Sequence, residues 1–424
     1  MGRAQLPSAR SRGRSAVPTV RPASDRAARR LRAGGLALPL VAFIFLSFLA
    51  PLGNLLTRSV HEPVVADALP ETLRALEREW SGGLPPDAAF DAIAHELPVA
   101  RETRQIGPTA TRVNRRESGM RSVIVKTARR VARLESRAQA GEPWRQLLPE
   151  IDEAWERPES WQAIRAAGER FTDRHYLNAL DLDRDANGDV VRQPPERRIY
   201  VALFLRTLVV SLGVTVLCLL IGYPLAHLIA NASAGTSRML LLLVLVPFWT
   251  SLLVRTTAWI VLLQQQGTVN DVLVWIGLVP DDARLSMIYN MTGTFVAMTH
   301  VLLPFMVLPL YSVLRSIPNV HMDAAASLGA NPTQAFVRVY WPQSLPGVAA
   351  GSLLVFILSI GYYITPALVG GQSGQLISNM IAHHMQTSLN WGLAAALGGV
   401  LLLAVLALYL IFDRLVGIEK LRLG

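Results

Sequence analysis

Six long apolar windows constrain this chain more than any other feature of its sequence. A helix of about 20 apolar residues crosses the hydrocarbon core of a bilayer. The windows therefore predict an all-α integral membrane protein with six transmembrane helices. Pro224, inside the second window, predicts a kink or an end of that helix. The windows cover residues 36–57, 201–230, 239–263, 291–314, 347–369 and 391–412.

Charged residues lie mostly between the first two windows. Residues 60–199 hold 24 of the 31 acidic and 22 of the 41 basic residues, whereas residues 1–35 hold nine arginines and one acid. The net charge of +10 is therefore not spread over one surface. We expect no nucleic-acid partner for that reason.

The segment between the first two windows has helix-like spacing of apolar residues, with tryptophans interleaved. It predicts a helical extracytoplasmic insert between helices 1 and 2. The stretches with this spacing are Leu69–Trp80, Asp87–Leu97, Arg121–Gln139 and Trp144–Tyr176.

Arginines flanking the first window predict the orientation, because basic residues close to a span stay in the cytoplasm. We expect a multi-pass protein of the bacterial inner membrane with both termini cytoplasmic. The N-terminal tail is expected to be disordered and to contact anionic membrane lipid. The expected division is a tail at 1–35, the first span at 36–58, a periplasmic insert at 59–199, a five-helix core at 200–416 and a cytoplasmic tail at 417–424.

The loop 315–346 carries the most informative local pattern. Met322–Leu328 is predicted to be a short helix that Gly329 ends in a left-handed conformation. Asn331 is predicted to cap a second helix, with Pro332 and Gln334 at its first and third positions. We expect that helix to stop at Pro342. The loop would then present two short helices on the cytoplasmic side.

This loop resembles the signature of binding-protein-dependent ABC permeases, which reads Glu-Ala-Ala, three residues, Gly, nine residues, Ile, two residues, Pro. Asp replaces the usual Glu, Val the usual Ile, and Trp341 the usual Leu. In the family, this loop forms the helices that enter a cleft of the ATPase. The resemblance therefore implies an ATPase-docking role for Asp323, Ala324, Ala325, Gly329, Val339 and Pro342.

Further motifs resemble the permeases of the spermidine/putrescine type, over about residues 200–416. The implied function is ATP-driven import of a polyamine; the same machine for iron, sulfate, an opine or an amino acid remains open. The motifs are Gly222–Ala226, Val246–Thr250, Leu303–Tyr311 and Ser359–Pro366.

The chain has no ATPase site of its own by sequence. A phosphate-cradling loop needs a Gly-Lys pair, and neither Lys126 nor Lys420 follows a glycine. The expected protein is therefore not an enzyme. Its expected partners are a pair of separate ATP-binding subunits, a second permease subunit and a periplasmic solute-binding protein.

Polar residues inside the apolar windows are candidates for the substrate pathway. Tyrosine faces can hold an ammonium group, although tyrosines also mark the membrane interface. An arginine inside an apolar window indicates either a functional residue or a side chain that extends to the membrane interface. The candidates are Tyr362, Tyr363, Thr365, Trp249 and Arg255.

Other patterns do not predict a site. Asp183–Val190 matches the start of a calcium loop, but position twelve is Pro194, so a turn is the favoured interpretation. His383 and His384 are interpreted as exposed loop histidines. The single Cys218 allows no disulfide, and no catalytic, metal or cofactor site is expected.

Two other function classes fit less well. A membrane-anchored sensor would need fewer spans and an output domain. A secondary carrier would use carboxylates inside its spans, and none of the six windows contains Asp or Glu.

Overall fold

The computed structural model describes residues 35, 38–78, 80, 82–185 and 188–416. The predicted tails, apart from Gly35, lie outside the described residues. The chain divides into two units, Met1–Asn54 and Leu55–Gly424.

Five described helices are long and apolar enough to cross a membrane, and a bent pair of helices gives a sixth span if the two helices are counted as one. This confirms the predicted all-helical membrane fold. Span 1 is Leu38–Thr57, span 2 is Tyr200–Asn231, span 3 is Ala234–Trp249 with Leu252–Leu262, span 4 is Met291–Ser316, span 5 is Pro332–Gly361 and span 6 is Trp391–Val416.

One of the two alternatives for Pro224, an end of span 2, is wrong, and so is the expectation of a continuous span 3. Span 2 does not end at Pro224 but continues to Asn231, because packing against neighbouring helices can hold a transmembrane helix together around a proline. Span 3 is not continuous. It bends by 98° where Pro247 lies in a 3-10 turn and Thr250 is extended, since a proline removes a backbone donor from the helix.

The segment between spans 1 and 2 is helical, as the sequence predicts. A small antiparallel hairpin follows its last helix, with Leu182 opposite Arg192. The helices are α1 (Val64–Ala68), α2 (Pro70–Arg78), α3 (Asp87–Glu102), α4 (Ile106–Asn114), α5 (Met120–Arg130), α6 (Glu135–Gln139), α7 (Trp144–Ile151), α8 (Pro158–Ala167) and α9 (Arg174–Ala179), and the strands are β1 (Leu182–Arg184) and β2 (Val190–Arg192).

The insert has its own apolar core. Phe90, Trp155 and Trp161 are among its largest fully buried side chains. Each buried indole has a hydrogen-bond acceptor: Trp155 Nε1 donates to Thr127 Oγ1 at 2.9 Å, and Trp161 Nε1 donates to the Trp155 carbonyl at 3.0 Å. These hydrogen bonds offset the free-energy cost of burying the N–H group of each indole ring.

Spans 2, 4 and 5 pack closely around Met306. A Cβ at Gly351 of span 5 would lie 2.8 Å from Met306 Sδ, and one at Gly222 of span 2 would lie 3.0 Å from Met306 Cγ. Small residues at these crossings allow the helix backbones to approach.

Among the described residues, four short α-helices lie in the segments that connect span 3 to span 6. They are α10 (Thr268–Trp275), α11 (Val320–Ser327), α12 (Ile364–Val369) and α13 (Ile377–Gln386).

Candidate functional site

The turn after α11 has the geometry that the sequence predicts. Gly329 has a φ of +84°. Its N–H donates to the Ala326 carbonyl at 2.9 Å, and the Ala330 N–H donates to the Ala325 carbonyl at 3.0 Å. This pair of bonds is the Schellman motif, which satisfies the last carbonyls of a helix.

The second helix of the loop begins with the predicted capping box. The Gln334 N–H donates to Asn331 Oδ1 at 2.8 Å, and the Asn331 N–H donates to Gln334 Oε1 at 3.2 Å. Pro332 occupies the first turn, where its missing N–H costs nothing.

The predicted stop at Pro342 is wrong. The helix continues through Pro342 to Gly361, so the second loop helix is the beginning of span 5. A π-helical turn covers Phe336–Tyr340, with the Trp341 N–H donating to the Phe336 carbonyl. The wider turn ends just before the proline, which then lies in the first turn of the α-helix that follows and needs no N–H there.

The loop exposes several of the predicted docking residues. Asp323, Ala324, Gly329 and Pro342 are exposed, whereas Ala325 is buried and Val339 is half-buried. The Asp323 carboxylate accepts no hydrogen bond from the described residues, and Leu328 is 89% exposed. We call the exposed residues Val320, Asp323, Ala324, Leu328, Gly329 and Val337 the loop face.

An aromatic cluster joins this loop to the end of span 2. The Phe336 and Tyr340 rings stack at 5.6 Å, and the Trp341 ring lies 4.9 Å from that of Tyr223. His227 Nδ1 lies 3.2 Å from the Tyr340 hydroxyl. These contacts connect the loop to span 2 by direct packing.

A second polar region surrounds the end of span 5. The helix ends at Gly361, and α12 begins at Ile364, so Tyr362 and Tyr363 lie in the break. Ser378 Oγ and Asn379 Nδ2 of α13 donate to the carbonyls of Tyr362 and Tyr363, both at 2.8 Å. Non-helical backbone at membrane depth needs such partners.

The structure brings some of the pathway candidates together. The second half of span 3 packs against α12, and the Thr256 and Thr365 hydroxyls lie 3.4 Å apart. Arg255, next to Thr256, interacts electrostatically with Tyr362. Its Nε is buried with no hydrogen-bond partner among the described residues.

The other two candidates are exposed. Tyr363 is 39% exposed, and Trp249, at the bend of span 3, is 78% exposed. No ring contact joins either side chain to another described residue.

Sequence reasoning missed three polar residues here. Thr256 contacts Thr365, and His300 of span 4 accepts a hydrogen bond from Trp259 Nε1 at 3.1 Å. A titratable side chain inside an apolar window was the available signal for His300.

The interpretation of His384 as an exposed loop residue is wrong. His384 lies in α13 and is buried, with Nε2 2.9 Å from the Tyr200 hydroxyl and Nδ1 2.8 Å from Ser388 Oγ. Burial, with the charges of His383 and Arg115, lowers its pKa to about 4. The described residues contain no cluster of metal ligands.

A buried carboxylate caps the beginning of span 2. Asp181 accepts hydrogen bonds from the N–H groups of Ile199, Tyr200 and Val201 at 2.9 to 3.1 Å. An anion at a helix N-terminus satisfies free donors and complements the helix dipole. The acidic pattern at 183–190 runs from β1 to the first residue of β2, and residues 186 and 187 within it lie outside the described part.

Comparison with known proteins identifies one matching family and several similar transport permeases. Residues 219–419 match the family described as binding-protein-dependent transport system inner membrane component. The spermidine/putrescine transport system permease protein PotB of Escherichia coli is 32% identical over 216 residues, covering 51% of this chain and 78% of that protein. The Haemophilus influenzae PotB is 35% identical, covering 49% and 73%.

A relative named for a different solute also matches. The molybdenum transport system permease protein ModB of Mycobacterium bovis is 32% identical over 194 residues, covering 46% of this chain and 70% of that protein.

Proposed function

We propose that this chain, which belongs to the family of binding-protein-dependent transport system inner membrane components, imports a polyamine, spermidine or putrescine. As a family member it is a multi-pass inner-membrane permease subunit of an ABC importer, and ATP hydrolysis belongs to a separate subunit. The observation that carries the polyamine assignment is the 32–35% identity to permeases named for these solutes.

In this proposal the loop face is the ATPase-docking surface. A pair of ATP-binding subunits closes on ATP and moves the loop, and the aromatic cluster of Phe336, Tyr340 and Tyr223 passes that movement to span 2. Six spans enclose a pathway poorly, so a second permease subunit completes it. A periplasmic binding protein delivers the solute.

The proposed orientation puts both termini and the loop in the cytoplasm and the insert in the periplasm. A Cys218→Ala background with a cysteine at Glu102 or Gln386 should react with an impermeant thiol reagent in spheroplasts. A cysteine at Ser327 should react only after lysis. The reverse labelling pattern would contradict this orientation.

The break in span 5 is the proposed solute contact. Tyr362 faces the polar region around Thr365, whereas Tyr363 is exposed. A cation–π contact is worth about 0.5–2 kcal/mol, or roughly two- to thirtyfold. We expect Tyr362→Leu to lower polyamine uptake severalfold, with Tyr363→Leu as the nearly silent matched control.

One observation favours a second candidate, an anionic solute such as an oxyanion. Arg255 interacts electrostatically with Tyr362, and its Nε has no hydrogen-bond partner among the described residues; this positive charge repels a polyamine and attracts an anion. Arg255→Gln separates the two: polyamine uptake should be unchanged or raised, whereas oxyanion uptake should be lost.

The deciding experiment is transport by the complete complex in proteoliposomes with its own binding protein. Accumulation of labelled putrescine or spermidine supports the proposal. Accumulation of molybdate or sulfate, with neither polyamine carried, would overturn the polyamine assignment and leave the family membership intact.

A further inference from the structure

A cavity of about 400 Å³ lies where the insert meets the first residues of spans 2 and 6. Helices α4 and α9 of the insert form one wall. Tyr200 and Leu393, close to the beginnings of the two spans, form another. Because spans begin near the bilayer surface, the cavity lies level with the lipid headgroups.

The lining of this cavity is strongly basic. It contains five arginines and two carboxylates, Asp183 and Glu196. Asp183 already pairs with Arg174 at 3.2 Å. The five are Arg112, Arg115, Arg116, Arg174 and Arg197.

Behind the lining, one carboxylate serves three basic side chains. Glu62 lies 2.6 Å from Arg112 Nη2, 2.8 Å from His175 Nε2 and 4.0 Å from Arg115 Nη1. A single negative charge cannot neutralise two guanidinium groups. The cavity therefore keeps an excess of positive charge.

Arg112 is the most informative of these residues. It is only 6% exposed, yet its Nε has no hydrogen-bond partner among the described residues. A buried donor without an acceptor costs free energy, and more so when it is charged. The side chain also lines the cavity, so its guanidinium adds a positive charge to the wall that the described residues do not fully satisfy.

Burial and the local charges both shift the pKa values of the groups around the cavity. Burial lowers the pKa of the Arg112 and Arg115 guanidinium groups, and the Glu62 charge only partly offsets it. Although burial works to raise the pKa of Glu62, its hydrogen bond with His175 and the charge of Arg112 hold it below the usual value.

We infer that this cavity binds a phosphate group, supplied either by the headgroup of an anionic phospholipid or by free inorganic phosphate. Several arginines converging on one small cavity match the many acceptor oxygens of a phosphate. The bound anion would accept hydrogen bonds from arginines of the lining and join the insert to spans 2 and 6. This inference does not depend on which solute the permease carries.

The test uses the full-length chain, delipidated in a maltoside detergent, which contains no phosphate. The unfolding midpoint is measured against inorganic phosphate and, separately, against short-chain phosphatidylglycerol, because a ligand of the folded state raises that midpoint. Arg115→Gln with Arg197→Gln removes two charges from the cavity. Arg145→Gln with Arg101→Gln removes two from elsewhere on the insert and is the matched control.

We expect the cavity variant to bind the preferred phosphate source at least about tenfold more weakly, since a charge-assisted hydrogen bond contributes at least that much. The control pair should bind as the unmodified chain does. A second variant, Glu62→Gln with Arg112→Gln, removes the buried pair together and should also lose binding without leaving a lone buried charge.

The two titrations distinguish the source. A shift with inorganic phosphate supports the free anion, and a shift with phosphatidylglycerol alone supports the lipid headgroup. The inference is overturned if neither ligand shifts the midpoint, or if the control pair loses as much affinity as the cavity variants.

Discussion

The two ends of span 2 are held by different chemistry. At the insert end, the buried Asp181 carboxylate accepts three backbone N–H groups, and Tyr200 bonds to buried His384. At the loop end, aromatic rings pack against Tyr223 and His227, and the adjoining loop face is exposed. One end satisfies its polar groups within the chain, and the other leaves an exposed surface suited to a partner.

This difference gives opposite expectations for substitutions at the two ends. At the insert end, changes should lower stability, because they leave buried groups unsatisfied. On the loop face, changes of exposed side chains should leave stability nearly unchanged and lower activity, because the proposed contacts of these side chains are with an ATP-binding subunit.

The largest expected loss of stability is for Asp181→Ala. It removes the acceptor of three N–H groups and places alanine at a φ of +58°. We expect about 3 kcal/mol of lost stability, from a charged cap and left-handed strain together. Thermal unfolding of the purified chain measures it.

Two matched variants interpret this result. Asp181→Asn keeps a residue that tolerates positive φ and should lose less. Asp87→Ala removes an exposed ion pair with Arg145 and should change little. Equal unfolding midpoints for Asp181→Ala and Asp87→Ala would show that the cap does not stabilise the junction.

The second-largest effect is expected at low pH, which should lower the stability of the insert end. The folded pKa of His384, about 4, lies below its ordinary value of 6.5, so the unfolded chain takes up a proton first as the pH falls. The stabilising contribution is fully present above pH 6.5 and is lost between 6.5 and 4. Between about pH 7 and 5 we expect a loss of roughly 1–2 kcal/mol.

The His384→Gln variant should lose this part of the pH dependence, because glutamine does not titrate. Unfolding midpoints at several pH values measure it. An unchanged slope in the variant would mean that other groups cause the acid sensitivity.

On the loop face, Gly329→Val should lower stability by only about 1–2 kcal/mol, the strain of a β-branched residue at positive φ. Space is not limiting, because a Cβ there would meet no atom within 4 Å. Gly329→Asn tolerates the same φ and is the control. A loss for asparagine as large as for valine would exclude strain as the cause.

The smallest effect on stability is expected for Leu328→Ala. The side chain is 89% exposed, so its removal should change the unfolding free energy by less than about 0.5 kcal/mol. Leu278→Ala, another exposed leucine, is the control. Stimulated ATP hydrolysis should fall in Leu328→Ala and not in Leu278→Ala.

Sequence predicted the features that depend on neighbouring residues. The capping box of Asn331 and Gln334 and the left-handed Gly329 involve positions within a few residues of each other, so local stereochemistry specifies them. The spans followed from length and hydropathy.

Features that depend on distant residues were not predictable from one sequence. Glu62 and His175 meet across 113 positions, and Asp181 lies 18 positions before Ile199, the first residue whose N–H it accepts. The effect of prolines was not predictable either. Pro224 and Pro342 do not end helices, whereas Pro247 accompanies the bend of span 3. Their effect is decided by how the freed backbone groups find partners in three dimensions.

The most direct test of the account is solute-stimulated ATP hydrolysis by the assembled complex carrying Asp323→Lys. Asp323 is exposed on the loop face, so the variant should fold and enter the membrane at the normal level, yet lose at least about tenfold of the stimulation by reversing a charge at the docking surface. Asp282→Lys makes the same change at an exposed residue between spans 3 and 4 and should keep full stimulation. Normal stimulation in Asp323→Lys would contradict the assignment of this loop as the surface that couples ATP hydrolysis to transport.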